Sequence, residues 1–422
     1  MTPKGVAKSV QVIGAGLSGL AAAVRLAQAG VAVEVSEAAA QAGGRCRSFH
    51  DAQLDMVIDN GAHLVLSGNQ AVNRYLGLIG ATDRLAGPDH ARFVFTDVRS
   101  GERWTVRPNE GPLPWWVLAP SRRVPESKSG DYLALAGLLY PKADDRVDQA
   151  IVAKGVVWTW LMEPFLLAAL NTAPKEGSAA LAAAVVRETL AKGGRAYRPR
   201  IAEPNLSAAF VDPALAFIGA RGGALRLGRR LRKLAFDGDR LATMTFSDQA
   251  EPSAVGGPVI LAVPPWTARE LAPDLIAPDA FHGIVNAHFT LAAPPGLEPM
   301  VGVIGGMIEW IFTFPDRISV TISAADRFMD TDRQILAEQI WSEVAKVQGL
   351  AAVLPPWQIL KERRATFAAT PEQARKRPDA TTAWSNLILA GDWTDTGLPA
   401  TIEGALRSGF RAADLALAQL RL

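Results

Sequence analysis

One cysteine, Cys46, stands among 422 residues, so no internal disulfide can form and the chain reads as the product of a reducing compartment, the cytoplasm. Histidine is scarce too: the five present show no ligand spacing, and no metal site is expected. Charge is close to balance, 44 Lys and Arg against 42 Asp and Glu, a formal net charge of +2 that carries no broad nucleic-acid signature. The basic run ARGGALRLGRRLRK alternates with leucines and reads as the solvated face of a strand. No stretch approaches the roughly 18 apolar residues of a membrane span. The opening MTPKGVAK lacks the apolar core of a leader peptide, so the expected start is the fold itself. No serine sits in a GxSxG frame, which removes the nucleophile elbow, and no internal repeat or low-complexity tract appears. What remains is an ordinary globular composition, 49% hydrophobic and 20% charged, enough for large cores in about two or three domains.

Against that background the stretch from Val10 to Ser48 is specific: a strand, a glycine turn, a helix, a second strand ending at an acid, then a Gly-Gly-Arg loop. Gly14 permits the tight turn out of the strand, Gly16 removes the side chain that would block a pyrophosphate, and Gly19 lets helix and sheet pack closely. Phosphates then sit at the helix N-terminus, where free N–H groups and the helix dipole favour negative charge. Glu37, roughly 20 residues on, offers a carboxylate to both ribose hydroxyls. A dinucleotide is the expected ligand. Cys46 reads as a small buried residue beside it rather than as a reactive thiol.

The closing segment AGDWTDTGLPATIEGALRSG is the second signal. A strand ending at Leu389, the unhindered Gly391, the acid Asp392 and a helix from about Thr401 make a polar cradle; the plain alternative is a strand–turn–helix in which Asp392 caps a turn. Between the two segments, residues 148–170 read as a long helix or helix pair with Pro164 as kink or boundary, and the alternation in LRLGRRLRKLAF suggests a strand. Val259–Pro265 reads as a buried strand. Further strands are expected near 284–292, 301–305 and 308–323, with a helix near 331–347.

The loop GGRCRS, Gly43 to Ser48, and the closing segment resemble those of the flavoproteins of the amine oxidase and carotenoid desaturase superfamily. The resemblance implies FAD rather than NAD, and an α/β fold: a Rossmann-type FAD-binding domain with an interleaved α+β substrate domain, as in amine oxidases and phytoene desaturases. The implied boundaries give residues 1–75, 209–268 and 381–422 to the FAD-binding part. Residues 76–208, largely helical, and the sheet and helix of 269–380 form the substrate part. Carried onto this chain, the implied cofactor contacts are Gly14, Gly16, Leu17, Ser18, Gly19, Glu37, Gly43, Gly44, Arg45, Gly61, Ala62, Leu231, Gly391, Asp392, Thr401 and Ile402, with Leu231 offering its backbone to the adenine.

Over most of its length the chain further resembles the hydroxysqualene dehydroxylases, squalene-associated flavoproteins of bacterial hopanoid synthesis. The resemblance rests on DNGAHLVLSGN, Asp59 to Asn69, on WLMEPFLLAALNT, Trp160 to Thr172, on FVDPAL and RRLRKLAFDGDR, and above all on TGLPATIEGA. Ala62 departs from the pattern, where a glutamine is more usual. The implied substrate is hydroxysqualene, a long isoprenoid allylic alcohol. Protonation and loss of water leave an allylic cation, which a hydride from reduced flavin quenches to squalene, so an external electron donor is implied as well. Such a site needs a proton donor and a dry tunnel, because water would capture the cation. The protein supplies position and electrostatics.

His63, Glu163, Glu309, Asp395 and Glu403 lie near the recognised segments, and His63 and Asp395 rank first as catalytic residues. The competing readings are a core histidine that holds its turn and a turn-capping aspartate. Trp115, Trp116, Trp158, Trp160, Phe165, Trp310, Phe312 and Phe314 either line the tunnel or fill the core of the second domain. LPWWVLAPSRR, Leu113 to Arg123, suits peripheral membrane contact on the cytoplasmic side, or else packs as an ordinary Pro-rich loop. Two other functions stay open: a desaturase or amine oxidase, for which Lys361 is the nearest flavin-side lysine, and a non-catalytic flavin-binding protein.

Overall fold

The computed structural model describes residues 9–421; the opening MTPKGVAK lies outside the described residues. Five strands drawn from distant parts of the chain form a wholly parallel sheet in the order Ala224–Arg226, Ala32–Ser36, Ser9–Ile13, Val259–Leu261, Leu387–Leu389. Val10, Val12, Val33, Val35, Ile260 and Ile388 are buried, the pattern of strands covered on both faces. The helix Leu17–Gln28 leaves the first strand and shares one core with the final helix Ile402–Arg421, through Leu20, Val24, Leu406 and Phe410.

A second, seven-stranded sheet runs in the order Trp357–Phe367, Phe281–Thr290, Arg317–Ile322, Trp310–Thr313, Met300–Ile304, Phe93–Asp97, Arg103–Val106. Its two faces carry different jobs because side chains alternate along each strand. Val285, Val301, Ile311, Ile318 and Val320 point to one face, where they pack on Leu336, Ile340 and Val344 of the helix Arg333–Gln348. That helix is capped by Asp332, which accepts from the N–H groups of Gln334 and Ile335, and it stops at Gly349. The opposite face meets the rest of the molecule and bears Phe95, Trp104, Trp310 and Phe312.

Two stretches differ from the sequence expectation. Residues 148–170 are not one long helix: Val147–Ala150 is a single turn, Gly155 takes a left-handed backbone at φ +83°, and a wide π-type turn, Trp158–Met162, leads into the helix Glu163–Leu170. Pro164 thus marks the boundary between the wide turn and the helix, one of the two roles expected of it, in the first turn where its missing N–H costs little. LRLGRRLRKLAF is likewise two strands. Gly228, at φ +68°, separates Ala224–Arg226 in the parallel sheet from Leu231–Asp237 in an antiparallel hairpin sheet.

On the seven-stranded sheet His288 is 1% exposed, with Nδ1 against Ser319 Oγ at 2.9 Å and Nε2 without a partner. Burial, then the charge of Arg317, pushes its pKa down to about 4. Unfolded, the ring titrates near 6.5, so its neutral form favours folding fully above that pH, and the benefit is lost as pH falls toward 4. His288→Gln is expected to cut the stability lost between pH 7 and pH 4.5 by about 2 kcal/mol, read from urea unfolding at both pH values.

Candidate active site

The first strand ends at Gly14, whose φ is +106°, and Gly16 precedes the helix. A Cβ on Gly16 would meet no atom within 4 Å, whereas one on Gly19 would lie 1.9 Å from Gly14 O. Gly16 thus faces open space at the helix N-terminus, with Leu17 and Ser18 in its first turn. Gly43 and Gly44 close the other side, tied by the Gly43 N–H donating to Ala15 O at 2.8 Å. Glu37 follows the second strand, its carboxylate accepting from the N–H groups of Ala15 and Ala39 at 2.7 and 2.8 Å. The backbone of Arg229 bonds to Glu37 O, which brings Leu231 to the same corner.

Arg45 reaches across this opening. Its guanidinium donates to both oxygens of Asp392 at 2.7 Å and to Ala365 O at 2.5 Å. Burial lowers its pKa, but the charge and hydrogen bonds of Asp392, with the nearby Cys46 and Glu362, together outweigh it and the net direction is upward. The side chain keeps 42% of its surface free while protein surrounds it, as a group lining an interior cavity does. Open space at Gly16, a helix N-terminus, a cavity-lining cation and a carboxylate at the end of the second strand together fit FAD. Cys46, next in line, is 5% exposed and its thiol is pushed up to about 12 by burial, which makes it a packing residue.

From the other end of the chain, Gly391 donates its N–H to Ser408 Oγ and Asp392 is 5% exposed. Arg377 stitches the following loop: it donates to the carbonyls of Asp392 and Thr394 and to Thr396 Oγ1. Sequence reading passed over Arg377, because no local pattern links it to a loop fifteen residues on. Thr401 Oγ1 accepts from the Gly404 N–H and caps the final helix ahead of Ile402.

The acid candidates separate. Glu403 is 4% exposed and accepts from the N–H groups of Ala71 and Val72 at 3.0 Å, so it caps the helix Gln70–Ile79 and anchors it to the final helix. Glu403→Ala leaves those donors buried without partners and is expected to cost about 2 kcal/mol in urea unfolding. Glu163 is exposed. Glu309 is raised to about 8, chiefly by burial, but its neighbours are Ser323, Arg327 and Glu343, on the helix-covered side of the sheet. Asp395 is exposed and accepts from the Gly397 N–H at 3.3 Å. His63 is half-buried beside Arg45; burial, then the charge of Arg45, lowers its pKa to about 4.

The face of the seven-stranded sheet turned toward this site carries a row that no local sequence pattern shows. Strand register aligns Asn286, Thr321, Trp310, Gly302, Phe95 and Trp104, one residue per strand. At one end Asn286 accepts from Thr321 Oγ1 at 2.9 Å and donates to Asn60 O at 3.3 Å, beside Gly61, Ala62 and His63. From there the row turns aromatic. Phe95 packs against Trp310 and stacks on Trp104, which stacks on Trp160 at 4.6 Å. Gly302 is required here, since a Cβ would sit 2.5 Å from the Phe95 ring. Five strand spacings carry the row about 24 Å from Asn286 to Trp104. Lys361 is opposite Val285, on the other face, and its Nζ donates to the carbonyls of Met329 and Thr331.

Comparison with known proteins accords with this geometry. Residues 17–417 match the family described as flavin containing amine oxidoreductase. The chain is 53% identical to the hydroxysqualene dehydroxylase of Rhodopseudomonas palustris over 416 residues, covering 98% of this chain and 99% of that one. The chain belongs to the hydroxysqualene dehydroxylase family. Its members also include the Sinorhizobium fredii enzyme, 51% identical with the same coverage of both chains. The fold is shared with a solved oxidoreductase from Methanosarcina mazei, at 15% identity and a TM-score of 0.72, covering 96% of this chain and all of that one. Membership makes the chain an FAD-dependent oxidoreductase of α/β architecture, as the glycine fingerprint and the closing segment imply.

Proposed function

We propose that the chain reduces hydroxysqualene to squalene by loss of water and hydride addition, at the junction of the nucleotide cradle and the seven-stranded sheet. The carrying observation is the register row: a polar pair, Asn286 and Thr321, at the Gly61–His63 turn, continued by a buried aromatic stretch from Trp310 to Trp104, the whole row running about 24 Å. A long isoprenoid with one hydroxyl matches that pattern of polarity. When bound, the flavin supplies the hydride.

His63 stands where the hydroxyl leaves in this reading; its ring is uncharged at neutral pH and hydrogen-bonded to the Arg45 backbone, so its other nitrogen accepts from the hydroxyl and orients it. Asp395, exposed in its turn, serves as a turn residue in this reading. Phe95, Trp104 and Trp310, buried and packed on one another, keep water away from this side of the site. In this reading residues 1–75, 209–268 and 381–422 hold the FAD, and 76–208 with 269–380 hold the substrate. Electrons reach the flavin from an external donor, and the protein works in the cytoplasm at the membrane surface. Among the described residues no helix is long and apolar enough to cross a membrane.

The amine oxidase reading is disfavoured by Lys361, whose ammonium is turned to the far face of the sheet. The deciding experiment is anaerobic. Enzyme whose flavin has been chemically reduced is mixed with hydroxysqualene, and flavin reoxidation is followed together with the lipid product. Stoichiometric squalene is the expected result; a flavin that stays reduced beside unchanged alcohol would overturn the proposal.

A further inference from the structure

Eleven large hydrophobic side chains are exposed among the described residues, and six of them fall between residues 113 and 152: Leu113, Trp115, Leu118, Leu133, Tyr140 and Val152. Their exposures run from 52% for Trp115 to 92% for Tyr140. Four of the six are held out by anchored neighbours. Trp116, Tyr132, Leu138 and Ile151 are buried while Trp115, Leu133, Tyr140 and Val152 beside them are not. The anchors also bind the segment into one unit. Trp116 meets Tyr132 edge-on at 5.2 Å, the Val124 N–H donates to the Tyr132 hydroxyl, and Arg123 donates to Val117 O and Ser129 Oγ. A packed unit that presents apolar side chains outward is an interaction surface.

The charges around it are mixed, with Asp131 and Asp145 accepting from backbone N–H groups and Glu126 exposed, and the cations cluster beside the apolar side chains. Among the described residues no carboxylate lies within ion-pair distance of Arg122, Arg123, Lys128, Lys142 or Lys154, whereas Asp144 and Asp148 are engaged by Arg375 and Arg146. Arg122 lies over the Trp115 ring at 4.8 Å, an indole and a cation arranged as at a lipid headgroup boundary. The strand Arg103–Val106, which carries Trp104 at the end of the aromatic row, runs directly on to this segment: the Arg107 N–H donates to Arg122 O. The surface therefore stands at the end of the row away from His63.

We infer that residues 113–154 form a docking face for an anionic bilayer, through which the apolar substrate enters the row without crossing water. The choice of lipid rests on the isoprenoid reading of the substrate, and the binding itself does not. Leu113, Trp115, Leu118 and Leu133 insert among the acyl chains, and the unpaired cations meet the headgroups.

Flavin-loaded enzyme is sedimented with vesicles of phosphatidylcholine alone and with 30% phosphatidylglycerol, chosen as roughly a biological anionic fraction. The wild type is expected to bind the anionic vesicles, and W115A/L118A/L133A to bind about tenfold or more weakly. R122Q/R123Q keeps the apolar face and should lose only the preference for phosphatidylglycerol. Flavin content and the circular dichroism spectrum show whether each variant is folded; I335A/V353A, exposed apolar residues elsewhere, serves as the control and should bind normally. Equal vesicle binding by the triple variant overturns the inference. So does a wild type that ignores vesicles and instead forms a dimer abolished by the triple variant, which would assign the face to a second copy. Turnover of detergent-dispersed substrate is measured in parallel. The triple variant should keep that rate and lose turnover of vesicle-embedded substrate, whereas failure of both in the wild type would count against the proposed reaction alone.

Discussion

Gly16→Val yields a folded protein without flavin, while Gly19→Ala damages the fold itself. The two glycines stand three residues apart in one turn, and their surroundings differ completely. Gly16 has φ −70°, which any L residue adopts, and an added Cβ meets nothing within 4 Å. Valine there costs the apoprotein little, and its methyl groups occupy the space where the pyrophosphate approaches the helix N-terminus. Flavin affinity is expected to fall by about 100-fold or more, equivalent to about 2.7 kcal/mol. At Gly19 the added carbon would lie 1.9 Å from Gly14 O and 3.3 Å from Ala262 Cβ, so helix and turn must part. The expected loss is about 3 kcal/mol of folding stability. Flavin absorbance per polypeptide and urea unfolding of the apoproteins separate the two effects. Full flavin occupancy in Gly16→Val would remove the pyrophosphate from this position.

His63→Phe is expected to lower kcat/KM about 100-fold with flavin largely retained, because the ring nitrogen that meets the leaving oxygen is lost while the Arg45–Asp392 pair stays in place. The pH profile distinguishes the form in which the ring acts. With a pKa near 4 the ring is neutral throughout the physiological range, and kcat/KM for the wild type should stay level from pH 8 down to pH 5 and fall only as pH approaches 4. Were the charged ring required, kcat/KM would rise steadily as pH drops across that range, since only about 0.1% of the enzyme carries it at pH 7. A His63→Phe enzyme as active as the wild type would return His63 to the role of a core residue that holds its turn.

The legible part of this protein lies where function is written in consecutive residues. Gly14, Gly16, Gly19, Glu37 and Arg45 occupy one continuous strand–turn–helix–strand–loop, and local backbone rules suffice to place them around a dinucleotide. Asp392 and Thr401 were readable for the same reason, as a strand end and a helix cap. Glu403 sat in plain view, but its partners Ala71 and Val72 are more than 300 residues away, so its capping role was not. The break at Gly228 was hidden differently. Alternation continues through the glycine, and only the pairing of its two sides into separate sheets reveals two strands.

By itself the sequence determined the dinucleotide motif and the absence of an internal disulfide, because each depends on spacing within short segments or on composition alone, and its resemblance to a flavoprotein superfamily carried the fold class. Tertiary structure decided the rest of the site. Phe95, Trp104, Asn286, Trp310 and Thr321 become neighbours only when seven strands from residues 93 to 367 adopt one order and register. The low pKa of His63 and the strong base at Arg45 arise from what surrounds them, and the exposed face at 113–152 exists because its anchors find a core. Cross-strand adjacency and burial are properties of chain pairing over long separations, which no local pattern of residues encodes.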